Sequence, residues 1–346
     1  TKSRLEGLDL ARLIAFVGMV IVNFKIVMGA DGGDDGLSRL TAMLEGRAAA
    51  TFVVLAGIGL GLFGLRSNRE RTVWVTMKRA AFLLVIGLLN MLIFDADILH
   101  YYAFYFLFGA LLLSLSASGL AAVVLLVNLA FLVMTLLLDY DAGWNWDDLT
   151  YQGFWTPVGF VRNLFFNGWH PVFPWLSFLL FGMLLSRFSL AEKSTHGWMV
   201  IGGVFVVALA EWVSSQLSPV LTVVHPELVY LAATAAIPPT PLYILSGMGI
   251  ASVVIGLCLL SASWLSRIGL LAIVSPAGRQ TLTLYIAHII LGMGVLDGLG
   301  LLGGQSIESA LVAASVFCAA TVVYALFWSR YFKHGPIETA MRRIAG

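Results

Sequence analysis

"FDADILHYYAFYFLFGALLLSL", residues 94–115, sets Asp95, Asp97 and His100 at the head of a long apolar run. Charge beside lipid-grade sequence is costly, so the stretch asks first what surrounds it. The whole chain of 346 residues is 60% hydrophobic and 11% charged, with a mean hydropathy of +0.92. Soluble domains run at about 45–50% apolar and about 25% charged. An excess of this size does not fit inside one soluble core, so lipid must be the solvent for most of the chain. The fold class that follows is all-α: a polytopic integral membrane protein forming one transmembrane helical domain over 1–346.

A span needs roughly 20 predominantly apolar residues. About ten segments answer to that on hydropathy: 8–28, 48–65, 80–94, 98–115, 120–138, 172–185, 198–217, 242–263, 281–296 and 310–331. Cytoplasmic connections collect Lys and Arg. Lys2, Arg4 and Arg12 precede or open the first segment, Arg66, Arg69, Arg71, Lys78 and Arg79 follow the second, and Arg187, Lys193, Arg267 and Arg279 mark later even connections. Arg330, Lys333, Arg342 and Arg343 close the chain. Odd connections are acidic, through Asp31, Asp34 and Asp35, then Asp95 and Asp97, then Asp139, Asp141, Asp147 and Asp148. The alternation predicts both termini in the cytoplasm and His100, His170 and His225 at the outer side. The expected location is the bacterial cytoplasmic (inner) membrane, crossed many times.

Two connections are long. Residues 139–170 alternate aromatic and polar side chains, which fits a segment lying along the outer interface or a lid over a site. Residues 218–241, with five prolines, read as an ordered external loop. Gly57 with Gly61, and Gly294 with Gly298, have the four-residue spacing of close helix packing. The first apolar run has no small-residue cleavage site and reads as a membrane helix. Net charge is +1, which argues against nucleic acid as a partner. Cys258 and Cys318 lie in apolar runs and read as core residues, with no metal site expected. Expected partners are membrane lipids, an extracytoplasmic acceptor, and a second copy or another membrane protein.

Ionisable groups within spans are expensive and face a bundle interior or a cavity. Asp9, Arg12 and Asn23 share a narrow arc of the first helix, with Arg12 at the cytoplasmic edge and Asn23 eleven residues deeper. Arg79 and Asn90 repeat that spacing on the third. On the ninth, Arg279 stands at the edge, and Thr281, Tyr285, His288 and Gly292 form one polar, small-residue face. Asp9 and Arg12 also suit a local ion pair, Asn90 a helix-packing hydrogen bond, and His288 a structural role. Taken together these lines suggest a conduit with a basic inner mouth able to bind a phosphorylated molecule and an outer end suited to acid–base chemistry.

Four pieces of the chain then resemble the transmembrane acyltransferase superfamily, most nearly the YeiB-like bacterial membrane proteins related to heparan-alpha-glucosaminide N-acetyltransferase. They are "RLEGLDLARLIAFVGMVIVNF" with Leu8, Asp9, Arg12 and Asn23; "EGRAAATFVVLAGIGLGLF"; "NGWHPVFPWLSFLLFGMLLSR" with Pro174, Trp175, Phe178 and Gly182; and "GRQTLTLYIAHIILG" with "FKHGPIE". The resemblance implies an acyl-CoA-dependent acyltransferase. Acyl-CoA, acetyl-CoA first, is the expected co-substrate, and the acceptor is a sugar, glycan or lipid hydroxyl or amine on the far side. It also implies that Arg12, Arg79 and Arg279 hold CoA phosphates, with Asn23, Asn90 and His288 along the conduit. Leu13 stands where the family has Gly, and no histidine lies between Lys25 and Arg47, where the heparan branch carries its catalytic one. Asp97 and His100, three apart and therefore able to meet on a helical turn, are the replacement acid–base pair. At the outer rim they are expected to be reached by water. Asp97 also suits a helix cap, and His170 is a second candidate base. Two other classes fit in part: a transporter or flippase of a small anionic or lipid-linked molecule, and a non-catalytic membrane subunit. No inverted repeat or clearly broken helix pair speaks for the former.

Overall fold

Each of the ten apolar runs folds as helix, since a segment in lipid has no other partner for its backbone N–H and C=O groups. The structure, a computed structural model, describes residues 5–30, 33 and 35–346. Lys2, Arg4, Asp31 and Asp34, used above for topology, lie outside the described residues. The first half contains α1 (Glu6–Val27), α2 (Gly36–Ala42), α3 (Arg47–Gly64), α4 (Arg69–Asn90), α5 (Leu99–Leu111) and α6 (Ala117–Leu137). A hairpin of β1 (Trp144–Asn145) and β2 (Thr150–Tyr151) follows, then α7 (Pro157–Arg162), a π-helical turn (Asn163–Asn167) and α8 (Val172–Leu185). The second half contains α9 (Lys193–Val224), a 3-10 turn (Pro226–Ala232), α10 (Pro241–Arg267) and α11 (Leu270–Gly278). After α12 (Thr281–Ala287) come a π segment (His288–Met293) and α13 (Gly294–Gly298), then α14 (Ile307–Trp328) and α15 (Pro336–Ala345).

Among the described residues, eight helical stretches are long and apolar enough to cross a membrane, or nine if the bent pair 157–167 and 172–185 is one span. The segment expected at 98–115 yields only the 13-residue α5. At 1.5 Å per residue that is about 20 Å, short of a hydrocarbon core of about 30 Å. The bent pair turns by 50°, where Gly168, Pro171 and Pro174 interrupt the helix around His170. It is a broken helix pair that hydropathy does not reveal. A further difference lies at 218–241: α9 runs on to Val224 through Pro219, so the loop begins at His225.

The apolar exterior fits lipid. On α6, Leu125, Leu126, Leu129 and Leu137 are exposed, as are Trp198, Ile201, Phe205 and Trp212 on α9. A water-soluble surface does not carry a belt of this kind. The core lies around α1, which touches α3, α10, α11 and α14. Small residues set the approach, because lipid offers no hydrophobic drive between helices and close packing replaces it. A Cβ on Gly57 would meet the backbone of Leu179, one on Gly182 the backbone of Val54, and one on Gly61 the side chain of Ser186, so α3 and α8 lie backbone to backbone. Gly61 and Gly57 thus pack as their spacing predicts. Gly294 and Gly298 do not, since nothing lies near either.

Gly57→Leu is expected to lower stability by about 1–3 kcal/mol through overpacking. Gly59→Ala, beside open space, is expected to be nearly neutral. Thermal unfolding of the two variants in detergent checks the contrast.

Candidate active site

The helix ends that carry arginine converge. Arg12 from α1, Arg79 from α4 and Arg342 from α15 line one cavity of about 390 Å³, together with Thr76, Thr281 and the rings of Phe52, Phe63, Tyr102 and Phe106. Arg12 also makes the local ion pair with Asp9, 2.7 Å away and itself buried. One guanidinium therefore serves the pair and the cavity. The Arg79 guanidinium lies 5.3 Å from the Phe63 ring centroid, and its Nε is buried without a hydrogen-bond partner. Arg279 is placed differently. It caps the end of α11 and does not line this cavity. Arg342, seen in the sequence only as a loop charge, is there instead. The signal that could have found it is "GPIETAMRRIA", a proline-started amphipathic helix whose apolar face needs a surface to cover.

A second, much smaller space of about 40 Å³ is lined by Asn23, Ala48, Ala49, Ala96, Ile98, His170 and Tyr285, among others. It has room for about one water molecule. The same parts of the chain line both spaces, one turn or less apart: Phe52 and Ala49 on α3, Leu99 and Ile98 at the start of α5, Leu282 and Tyr285 on α12. The two spaces therefore lie end to end.

Around the small space is a buried polar network. Asp97 is fully buried. It accepts hydrogen bonds from Asn90 Nδ2 at 3.0 Å, Tyr285 Oη at 3.1 Å and the Leu99 backbone N–H at 2.8 Å. The last of these ties Asp97 to the first backbone N–H of α5, although Ile98, not Asp97, stands at the cap position. Asn23 Nδ2 meets His288 Nε2 at 2.9 Å, and His288 Nδ1 contacts the carbonyl of Tyr285. Asn23, Asn90 and His288 thus gather around the Asp97 end, and none of them lines the arginine cavity.

The expectation that water reaches Asp97 and His100 is corrected. Both side chains have no exposed surface. They meet across one turn, but His100 Nδ1 is 3.9 Å from Asp97 Oδ2, too far for a hydrogen bond. Neither ring nitrogen of His100 has a hydrogen-bond partner. The physical reason is the cap formed by residues 139–170. Phe154 sets its ring 5.7 Å from His100, the Tyr101 ring lies tilted against it at 3.8 Å, and the Tyr101 hydroxyl donates to Asn163 at 2.5 Å. His100 therefore faces the cap and lines neither space. Asp95 remains exposed; partial desolvation and the nearby Asp148 charge hold its carboxyl above the ordinary range. His170 does line the small space. Its ring lies edge-on to Trp175 at 4.6 Å, its carbonyl accepts from the Tyr105 hydroxyl, and its Nδ1 is buried without a partner.

Asp97→Ala would strand the Tyr285 hydroxyl, the Asn90 amide and the Leu99 N–H. A loss of about 3 kcal/mol or more is expected, since three buried groups are orphaned and each costs about 1–3 kcal/mol. Asp97→Asn, which keeps one acceptor oxygen, is expected to lose less, by thermal unfolding.

Two families match the chain by sequence. Residues 4–216 match "Heparan-alpha-glucosaminide N-acetyltransferase, catalytic", more than half of the chain. Residues 186–346 match a family described only as a protein of unknown function (DUF418). A comparison with curated proteins finds no match.

Proposed function

The chain belongs to the family of the heparan-alpha-glucosaminide N-acetyltransferase catalytic domain, and from that premise we propose that it transfers an acyl group from cytoplasmic acyl-CoA to an acceptor across the membrane. The observation that carries the reading is the cavity where Arg12 and Arg79 meet, end to end with the space that His170 reaches. By the positive-inside rule, the arginine cavity is read as opening toward the cytoplasm. On this reading α5 and the bent pair complete ten crossings of a bacterial inner membrane, with both termini inside.

The chemistry follows from these positions. Guanidinium forks suit phosphate oxygens, so Arg12 and Arg79 hold the CoA phosphates while the acyl-pantetheine arm enters between α1, α3, α5 and α12. An acceptor hydroxyl or amine attacks the thioester carbonyl. The carbon–sulfur bond breaks, the His170 imidazole takes the acceptor's proton, and the CoA thiolate receives it. Such a base contributes about 10²–10⁴ in rate. His170 is preferred over His100 because it lines the space; His100 acts from behind it, through Tyr101, whose ring contacts both histidines.

The test uses purified protein and labelled acetyl-CoA. Arg79→Gln is expected to weaken CoA binding about tenfold, as loss of a charge-assisted bond does. His170→Ala is expected to leave that affinity in place and lower transfer or hydrolysis by about 10²–10⁴. His100→Ala is expected to lower turnover less. Absence of CoA binding and thioester turnover in the unaltered chain sinks the reading. Saturable uptake into vesicles without CoA would move it to a transporter, for which the broken pair around His170 speaks.

A further inference from the structure

We propose that Arg342, on the C-terminal helix α15, is a third phosphate-binding residue of the arginine cavity, and that Glu338 is the positioning residue that aims it. The inference rests on the donor reading above and adds to it a binding residue and its support.

α15 is held by an unusual contact. Glu338 does not point into solvent. Its carboxylate accepts from the backbone N–H groups of Leu282 at 2.9 Å and Thr283 at 3.1 Å, and from the Thr283 hydroxyl. Thr283 Oγ1 in turn accepts from the Ile337 N–H at 3.1 Å. Gln280, at the start of α12, makes no side-chain cap. Glu338 supplies it from another helix, satisfying N–H groups that a helix start leaves orphaned. Arg342 follows four residues later, on the same face of α15. There it lines the cavity with Arg12 and Arg79, while the next residue, Arg343, does not.

The charge balance points to an anion. Arg342 lies close enough to Arg79 for the two charges to repel. Among the described residues, neither has a carboxylate within ion-pair distance. Two guanidiniums facing one cavity without a counter-charge cost free energy that a bound polyanion relieves. CoA carries a diphosphate and a separate ribose phosphate, which gives several cations something to hold.

The test measures CoA affinity of the full chain in detergent by calorimetry, with the unliganded melting temperature of each variant as the folding control. Arg342→Gln is expected to weaken CoA about tenfold and to flatten the salt dependence. Arg342→Lys is expected to keep part of the affinity, having the charge without the fork. Arg343→Gln is expected to change nothing. Glu338→Gln is expected to weaken CoA when Arg342 is present and to add nothing on top of Arg342→Gln, the coupling of a residue that acts through another. Equal affinity of Arg342→Gln and the unaltered chain, with Arg79→Gln weakened, overturns the assignment of Arg342 and leaves the donor reading standing. Additive losses overturn the role of Glu338. An unaltered chain that binds no CoA overturns the donor reading itself.

Discussion

A carboxylate with no exposed surface inside an apolar bundle must be met by donors, and Asp97 imposes that condition on three helices. Asn90 is the last residue of α4, Leu99 the first of α5, and Tyr285 belongs to α12, nearly two hundred residues away. Leaving a buried charge without partners costs several kcal/mol, so these ends are held in one arrangement. The arrangement then propagates. The Tyr285 carbonyl contacts His288, and His288 meets Asn23 of α1. The polar groups around the small space are fixed through this one side chain.

Backbone proximity makes such reach possible. Gly87 lies under the backbone of His100, so α4 and α5 pack where their polar ends meet. Gly57 and Gly182 do the same for α3 and α8, and Gly278 lies against the backbone of Asp9. In lipid this close contact, with interhelical hydrogen bonds, takes the place of hydrophobic burial. The same close packing fits the small size of the second space, where helices approach over Ala48, Ala49 and Ala96 and leave room for about one water molecule.

The helices were legible because long apolar runs in lipid have one solution. The break around His170 was less so: Pro171 and Pro174 were visible, but "VFPWLSFLLFGMLL" is apolar throughout, and hydropathy does not see a bend. Pro219 marked a loop start falsely, because it sits in the exposed last turns of α9, where one lost backbone bond is cheap. In the site, Arg12 and Arg79 were legible as charges at helix edges; that they line one cavity was not, because α1 and α4 meet there through α3 and α5 rather than by packing on each other. Nor was the burial of Asp97 and His100. Loop charge indicates a side of the membrane, whereas burial depends on a cap, residues 139–170, folding back over the helix ends, and on a tyrosine supplied from far along the chain. Arg342 was visible as a charge, but its place depends on Glu338 capping a helix remote in sequence.

The distance between the two chemical ends is set by helix geometry. Thr281 lines the arginine cavity and Tyr285 the small space. They are four residues apart on α12, a rise of about 6 Å. The spaces are thus separated by one to two turns of helix: three or four residues on α3 and α12, and seven on α1 between Arg12 and Met19. On the proposed reading, a thin arm held by its phosphates at the basic end passes this stretch before it reaches His170. His170 lies in the break between α7 and α8, where the backbone leaves the helix. Irregular backbone between apolar helices is tolerated where it lines a cavity. The break thus does what an unbroken helix cannot, bringing an imidazole and a backbone turn to the end of that passage.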